Sequence, residues 1–355
     1  MQRISHKPVV LWLALVCAVV VLMVVVGGIT RLTGSGLSMV DWQPVMGILP
    51  PMDEAAWQRV FDDYRQYPEY KEINRGMSLE AFKGIFFWEY LHRVLGRVIG
   101  MLFFFPLVAF WLMGRIPQGY RGPLLIALVL GGSQGLLGWY MVQSGLIDVP
   151  RVSHYRLAAH LSLALFILCY LFWLALSIGG APRRNVSPGL RLALYGLAGL
   201  IVVQILFGAF TAGMDAGYGY NTWPLMNGQF MAEAVFFMQP LWINFFESGA
   251  TVQFIHRWLA VVVVAAAFAV WLMARRESTT IRWGAAALLA TLLIQFAIGV
   301  LTLIHVVPVS LGTLHQGWAC AVLLALVYLL YASTPAGQQV RSDESLPGAN
   351  QYDAG

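Results

Sequence analysis

Eight stretches of mostly apolar residues, near 9–29, 89–113, 123–143, 156–178, 190–212, 251–273, 283–304 and 309–332, constrain this chain more than any other feature. Each meets the roughly 20 residues that a helix needs to cross the hydrocarbon core of a bilayer. Inside lipid a backbone must satisfy its own hydrogen bonds, and runs of this length do so as helices. With 59% hydrophobic and only 11% charged residues, the chain is too apolar for a water-soluble globule. The first run lacks the small-residue cleavage site and short hydrophobic region of a signal peptide, so it reads as a retained helix. The expected fold is an all-α integral membrane protein with eight transmembrane helices.

Basic residues set the orientation. Arg3 and Lys7, Arg115 and Arg121, Arg183, Arg184 and Arg191, Arg275, Arg276 and Arg282, and Arg341 share one set of ends. Short loops rich in Lys and Arg stay in the cytoplasm, so both termini are expected there. The same pattern accounts for the net charge of +5 without a nucleic-acid partner. On the opposite side, residues 31–88 form a long segment. Trp57, Val60, Phe61 and Tyr64 have helical spacing there, predicting a short surface helix within Asp53–Tyr67. Ser78 is placed to cap a helix running from Leu79 into the second span. A second long outer loop, about 213–250, carries Tyr218, Tyr220, Trp223 and Trp242, aromatics suited to a membrane interface. The tail after Ser333 is polar and expected to be disordered (334–355). Cys17, Cys169 and Cys320 all fall in apolar runs, which excludes a disulfide framework and a cysteine zinc site.

The chain contains a repeat. Glu89-Tyr90-Leu91-His92-Arg93 is echoed by Gln253-Phe254-Ile255-His256-Arg257. Gly27-Gly28-Ile29-Thr30 is echoed by Gly208-Ala209-Phe210-Thr211, and Trp42-Gln43-Pro44 by Trp223-Pro224. Gln-x-x-x-Gly occurs at Gln134/Gly138, Gln204/Gly208 and Gln295/Gly299, where small residues let helices approach closely. Four helices per repeat give both halves one orientation, so a parallel repeat of two pseudo-symmetric four-helix bundles is expected. The halves are 1–180 and 181–333.

Of seven histidines, four form a set: His92 and His256 open the second and sixth spans, and His160 and His315 the fourth and eighth. Ionisable residues within a span are costly and mark function. Singly, each reads best as a hydrogen-bonded structural histidine; four at repeat-related positions do not. Two histidines from facing helices of a bundle can hold heme iron, giving the pairs His92/His160 and His256/His315. Zinc or copper lacks a closed ligand set. Non-heme iron on His92, His160 and Glu89 is conceivable, but the second half has no matching carboxylate. His6 receives no role, and His154 and His305 read as interface or loop histidines.

Arg93 and Arg257 follow the histidines at about 100° around the helix. They are candidates for heme propionates, with interfacial snorkelling as the plainer reading. Arg97 lies deeper and needs a partner. Glu89, three residues before His92, shares its helix face. An acid near a helix start is the plain explanation. The functional one is a carboxylate beside a porphyrin edge, accepting a proton or stabilising positive charge at a reacting carbon. Because Gln253 cannot ionise, the halves are expected to differ in task.

These residues resemble the heme A synthases. The similarity runs through Gly28-Ile29-Thr30-Arg31-Leu32-Thr33, Ser35-Gly36-Leu37, Glu89 to Arg93, Leu137-Gly138-Trp139, Met141-Val142, Ser144-Gly145-Leu146 and Tyr155 to His160. In the second half it runs through Gly208 to Gly213, Asp215-Ala216-Gly217, Asn221 to Met226, Gln253 to Arg257 and Leu314-His315-Gln316. The resemblance implies a heme b cofactor on His256 and His315. It implies the substrate heme O near His92, His160 and Glu89, and successive oxidations of the porphyrin C8 methyl to a formyl group. One branch of that family carries cysteine pairs in its outer loops; this chain looks like the other, proteobacterial and mitochondrial, branch. The direct N-terminus favours a bacterial inner membrane, with the heme sites toward the periplasm. Implied partners are heme O, membrane lipid and an unidentified electron partner; the farnesyl-adding heme O synthase and a second copy of the chain are further candidates. Two other classes stay open: a diheme b-type cytochrome linking quinone to a periplasmic carrier, and a non-enzymatic heme carrier or transporter.

Overall fold

The computed structural model describes residues 6–40, 49–146 and 150–335. The Trp42-Gln43-Pro44 motif and the tail from residue 336 lie outside the described residues. Among the described residues ten α-helices are present: α1 (Lys7–Leu32), α2 (Glu54–Tyr64), α3 (Leu79–Leu112), α4 (Arg121–Leu146), α5 (His154–Ile178), α6 (Pro188–Gly213), α7 (Asn244–Glu247), α8 (Gly249–Ala274), α9 (Thr279–Ile304) and α10 (Val309–Ala332). Eight of them, all but α2 and α7, are long and apolar enough to cross a membrane. Among the described residues there is no strand, only an isolated bridge between Met226 and Gln229. Large apolar side chains such as Leu11, Phe105, Leu112 and Leu192 lie exposed on the spans. Apolar surface on this scale is costly in water and fits lipid.

Packing follows the repeat. In the first half α1 meets α3, α3 meets α4, α4 meets α5, and α5 returns to α1. In the second half α6, α8, α9 and α10 close the corresponding ring. The halves join where α1 meets α10 and α5 meets α6, again a repeat-related pair. Gln316 of α10 donates to the Val24 carbonyl of α1 at 2.8 Å, and a Cβ on Gly28 would lie 3.2 Å from the Gln316 amide nitrogen. On the surface, Arg31 bridges to Asp215 at 3.0 Å.

The second span is longer than its apolar run. Ser78 Oγ accepts from the Ala81 amide, so α3 starts at Leu79, as its cap predicts, and its first turns precede the apolar run that begins near residue 89. Phe82 and Phe86 on that extension pack against Phe61 and Tyr64, which anchors the outer segment. The surface helix α2 is capped by Asp53, whose carboxylate accepts from Ala56 at 2.7 Å. A five-residue π-helical turn, Glu69–Ile73, follows and was not predicted. Glu69 is buried there and accepts from the Tyr64 hydroxyl at 3.0 Å. Burial, partly offset by that hydrogen bond and reinforced by the charge of Glu89, pushes its carboxyl up to about 7.

Candidate functional site

The four histidines lie at one end of the two bundles, and each ring faces a glycine on the preceding transmembrane helix. A Cβ built on Gly27, Gly138, Gly208 or Gly299 would fall 3.0, 2.9, 2.9 and 2.8 Å from Cε1 of His92, His160, His256 and His315 respectively. Only glycine leaves room for the ring at these places. The Gln-x-x-x-Gly glycines thus serve as seats for imidazoles, a more specific task than the close helix approach expected of them. Gly27 is the fourth member of the set, without the glutamine that marks the other three.

Those glutamines brace the histidines. Gln134, Gln204 and Gln295 each donate from Nε2 to the main-chain carbonyl of the facing histidine at 3.0 Å. The same nitrogen lies 3.0 Å from Nδ1 of His256, 3.3 Å from Nδ1 of His315 and 3.4 Å from Nε2 of His160. Nδ1 of His256 also has the Gln204 carbonyl at 3.2 Å. The Gln204 carbonyl, placed to accept from Nδ1–H of His256, is an outer contact of the kind that fixes ring orientation and tautomer in histidine–metal sites, while the amide nitrogens hold the histidine main chain.

The second pair fits a shared metal. The His256 and His315 ring centres are 6.3 Å apart with planes at 89°. Bonds of about 2.0 Å from one nitrogen of each ring to a common metal place the ring centres about 6 Å apart. His92 on α3 and His160 on α5 belong to the same bundle, each ring against its glycine. Nδ1 of His92 and of His160 is buried with no hydrogen-bond partner among the described residues. Among those residues no three His, Cys, Asp or Glu side chains gather as a metal-binding group. The three cysteines are unpaired and packed in the spans.

Glu89 is 4% exposed and does not face lipid. It sits about three turns into α3, so the helix-start dipole, which acts within the first turn, does not account for it. Its Oε2 accepts from Ser38 Oγ and from the Met39 amide, both at 2.8 Å. Its Oε1 pairs with Arg93, whose guanidinium also donates to the Met39 carbonyl at 2.7 Å. The second half repeats this bracket with the polarity reversed. Gln253 donates to the carbonyls of Ala216 at 2.9 Å and Gly219 at 2.6 Å. Arg257 donates to the Tyr220 carbonyl at 2.9 Å, and Tyr220 occupies the place after α6 that Met39 occupies after α1. Thus the Glu89/Gln253 difference is matched by its surroundings: hydroxyl and amide donors face the acid, carbonyls face the amide.

Arg257 is 5% exposed and also donates to the carbonyls of Thr222, Pro224 and Leu225 at 2.8–3.1 Å. Its guanidinium lies 5.6 Å from the Trp223 ring centre. Both arginines therefore tie the outer segments down onto the histidine helices. His154 and His305 stand apart from the set. His154 reaches the Phe246 carbonyl at 3.0 Å and His305 the Leu301 carbonyl at 2.9 Å. The bracing glutamines and Ser38 were missed as functional residues, although the threefold Gln-x-x-x-Gly pattern was the signal for the former.

The sequence matches the COX15-CtaA family, described as cytochrome oxidase assembly protein, over residues 10–327. A protein named heme A synthase from Parvibaculum lavamentivorans is 47% identical over 320 residues, covering 90% of this chain and 92% of the relative. One of the same name from Rhodospirillum centenum is 45% identical over 335 residues, covering 93% and 90%. Another from Azorhizobium caulinodans is 45% identical over 342 residues, covering 95% and 96%. With matching of this extent from α1 to α10, the chain belongs to the COX15-CtaA family of cytochrome oxidase assembly proteins.

Proposed function

We propose that this chain is a heme A synthase, which oxidises the C8 methyl of heme O to a formyl group. The substrate sits in the first half, residues 1–180, with its iron on His92 and His160. The second half, 181–333, holds heme b on His256 and His315. One observation carries the assignment of halves: two sites alike in histidines, glycine seats and arginine brackets differ at Glu89 and Gln253. Names of the relatives support the reaction. The spacing of His256 and His315 supports the cofactor site.

Bound heme b supplies one-electron transfer between an external partner and the substrate half. The chain's own residues do the rest. The glycine seats and glutamine braces hold imidazoles in place; Arg93 and Arg257 close the outer segments over the sites. Glu89 holds a carboxylate next to the substrate half, oriented by Ser38, Met39 and Arg93. There it serves as proton acceptor or as a counter-charge to the reacting carbon. On this reading both termini lie in the cytoplasm and the sites face the periplasm of a bacterial inner membrane, which the clustering of basic residues in one set of short loops supports.

A second reading of Glu89 is favoured by its own counterpart. Gln253 braces the outer segment as Glu89 does, so the position has a structural task apart from chemistry. The test is expression in a bacterium that makes heme O but no formyl heme, followed by chromatography of extracted pigments. The wild type is expected to yield heme A, and its absence overturns the reaction. Glu89→Gln is expected to retain heme O without product; full product from that variant makes the residue a bracket only.

A further inference from the structure

Three of the four histidines carry a glutamine brace, and the fourth does not. Position 23 in α1 corresponds to Gln204 in α6, four residues before the glycine seat, and holds Met23. The methyl of Met23 lies against Gly96, where a Cβ would meet it at 3.4 Å. No side-chain amide therefore reaches the His92 carbonyl from this position, and Nδ1 of His92 is buried without a hydrogen-bond partner among the described residues. His160 is intermediate: Gln134 holds its carbonyl and touches its ring, but its Nδ1 is also unpartnered. In the second half both Nδ1 atoms have a glutamine within 3.3 Å.

We propose that His92 is the exchangeable ligand of the substrate half, and that Met23 in place of a glutamine is the feature that lets it release porphyrin. This rests on the assignment of the first half to heme O. A resident cofactor needs ligands whose orientation is fixed before and after binding. A substrate that must leave as product needs at least one ligand that gives way. Partners that hold a ligating histidine in place are worth about 10–100-fold in metal affinity, and the amide clamp on the histidine carbonyl, present at His160, His256 and His315, is the one His92 lacks. Its absence at one histidine of one pair therefore separates a retained porphyrin from an exchanging one, with no change of ligand type. Met23 and Gln134 act as positioning residues through His92 and His160; neither is assigned contact with the substrate.

The test is the rate at which the purified full-length protein, loaded with heme O, gives up each pigment to excess apomyoglobin, with hemes in the acceptor fraction resolved by chromatography. Wild type is expected to release heme O at least about 10-fold faster than heme B. Met23→Gln is expected to slow heme O release by about 10-fold or more and leave heme B release unchanged. Gln134→Met is expected to quicken heme O release, and Gln204→Met to quicken heme B release about 10–100-fold. Should Met23→Gln fail to accumulate, the two glutamine variants decide the matter alone. Unchanged heme O release in Met23→Gln, or unchanged release in both glutamine variants, overturns the proposal. A different result, heme O uptake unaffected by replacing His92 and His160 together, overturns the assignment of the halves instead.

Discussion

Replacing Gly208 by alanine gives a measurable consequence of the imidazole seats. The new Cβ would lie 2.9 Å from Cε1, 3.4 Å from Nδ1 and 3.6 Å from Nε2 of His256. Carbon atoms settle at about 3.5–4.0 Å, so the ring or the helix must retreat by roughly 0.6–1 Å. Metal–ligand distances tolerate only about ±0.2 Å. A ring displaced by several times that margin leaves the 6.3 Å pairing with His315. If the ring holds its place instead, overpacking costs about 1–3 kcal/mol, a factor of roughly 5–150 in an equilibrium constant. Either way heme affinity in the second half falls by about fivefold or more, while the spans still insert. Heme per chain, measured on extracted pigment alongside thermal unfolding, is the assay. Gly199→Ala is the control, because nothing lies within 4 Å of a Cβ there. Full heme content and an unchanged visible spectrum in Gly208→Ala would refute the reasoning.

Three other outcomes follow from the geometry. Gly138→Ala, which drives a Cβ to 2.9 Å from His160, is expected to weaken heme O binding by about tenfold and leave heme B content intact; pigment ratios check this. Glu69 has a carboxyl raised to about 7, so the folded outer segment binds more protons than the unfolded chain between about pH 4.5 and 7. Its contribution is therefore fully present below about pH 4.5 and is lost as pH rises through 7, by on the order of 3 kcal/mol. Proteolysis within 49–78 should quicken from pH 5.5 to pH 8 in the wild type and lose that dependence in Glu69→Gln. Arg257→Met removes charge-assisted donors from four carbonyls and is expected to loosen residues 219–248 by on the order of 3–6 kcal/mol, read as faster hydrogen exchange there.

The architecture was legible because lipid imposes a simple rule on sequence. Apolar runs of spanning length gave all eight membrane helices, and the Ser78 cap gave the true start of α3. The repeat made the four histidines stand out from His6, His154 and His305. Less legible were contacts between segments far apart in the chain. Nothing local to Glu89 announces Ser38 and Met39 as its partners, and nothing local to Arg257 announces a ring of carbonyls from 220–225. The Gln-x-x-x-Gly pattern was visible, but its reading needed the facing helix: a glycine against a helix and a glycine against an imidazole look alike in one dimension. The π-helical turn after α2 is held by the buried Tyr64–Glu69–Asn74 hydrogen bonds and carries no repeat to flag it.

Two like sites with a division of labour between them are distinguished most directly by counting the pigments in each. Hemes extracted from purified wild type and from a His256→Ala, His315→Ala double variant, each supplied with heme O, separate the sites. Heme B together with heme O or its C8-oxidised product is expected in the wild type, and loss of heme B alone in the double variant. Two equivalents of heme B in the wild type, or equal loss of both pigments in the variant, would contradict that division.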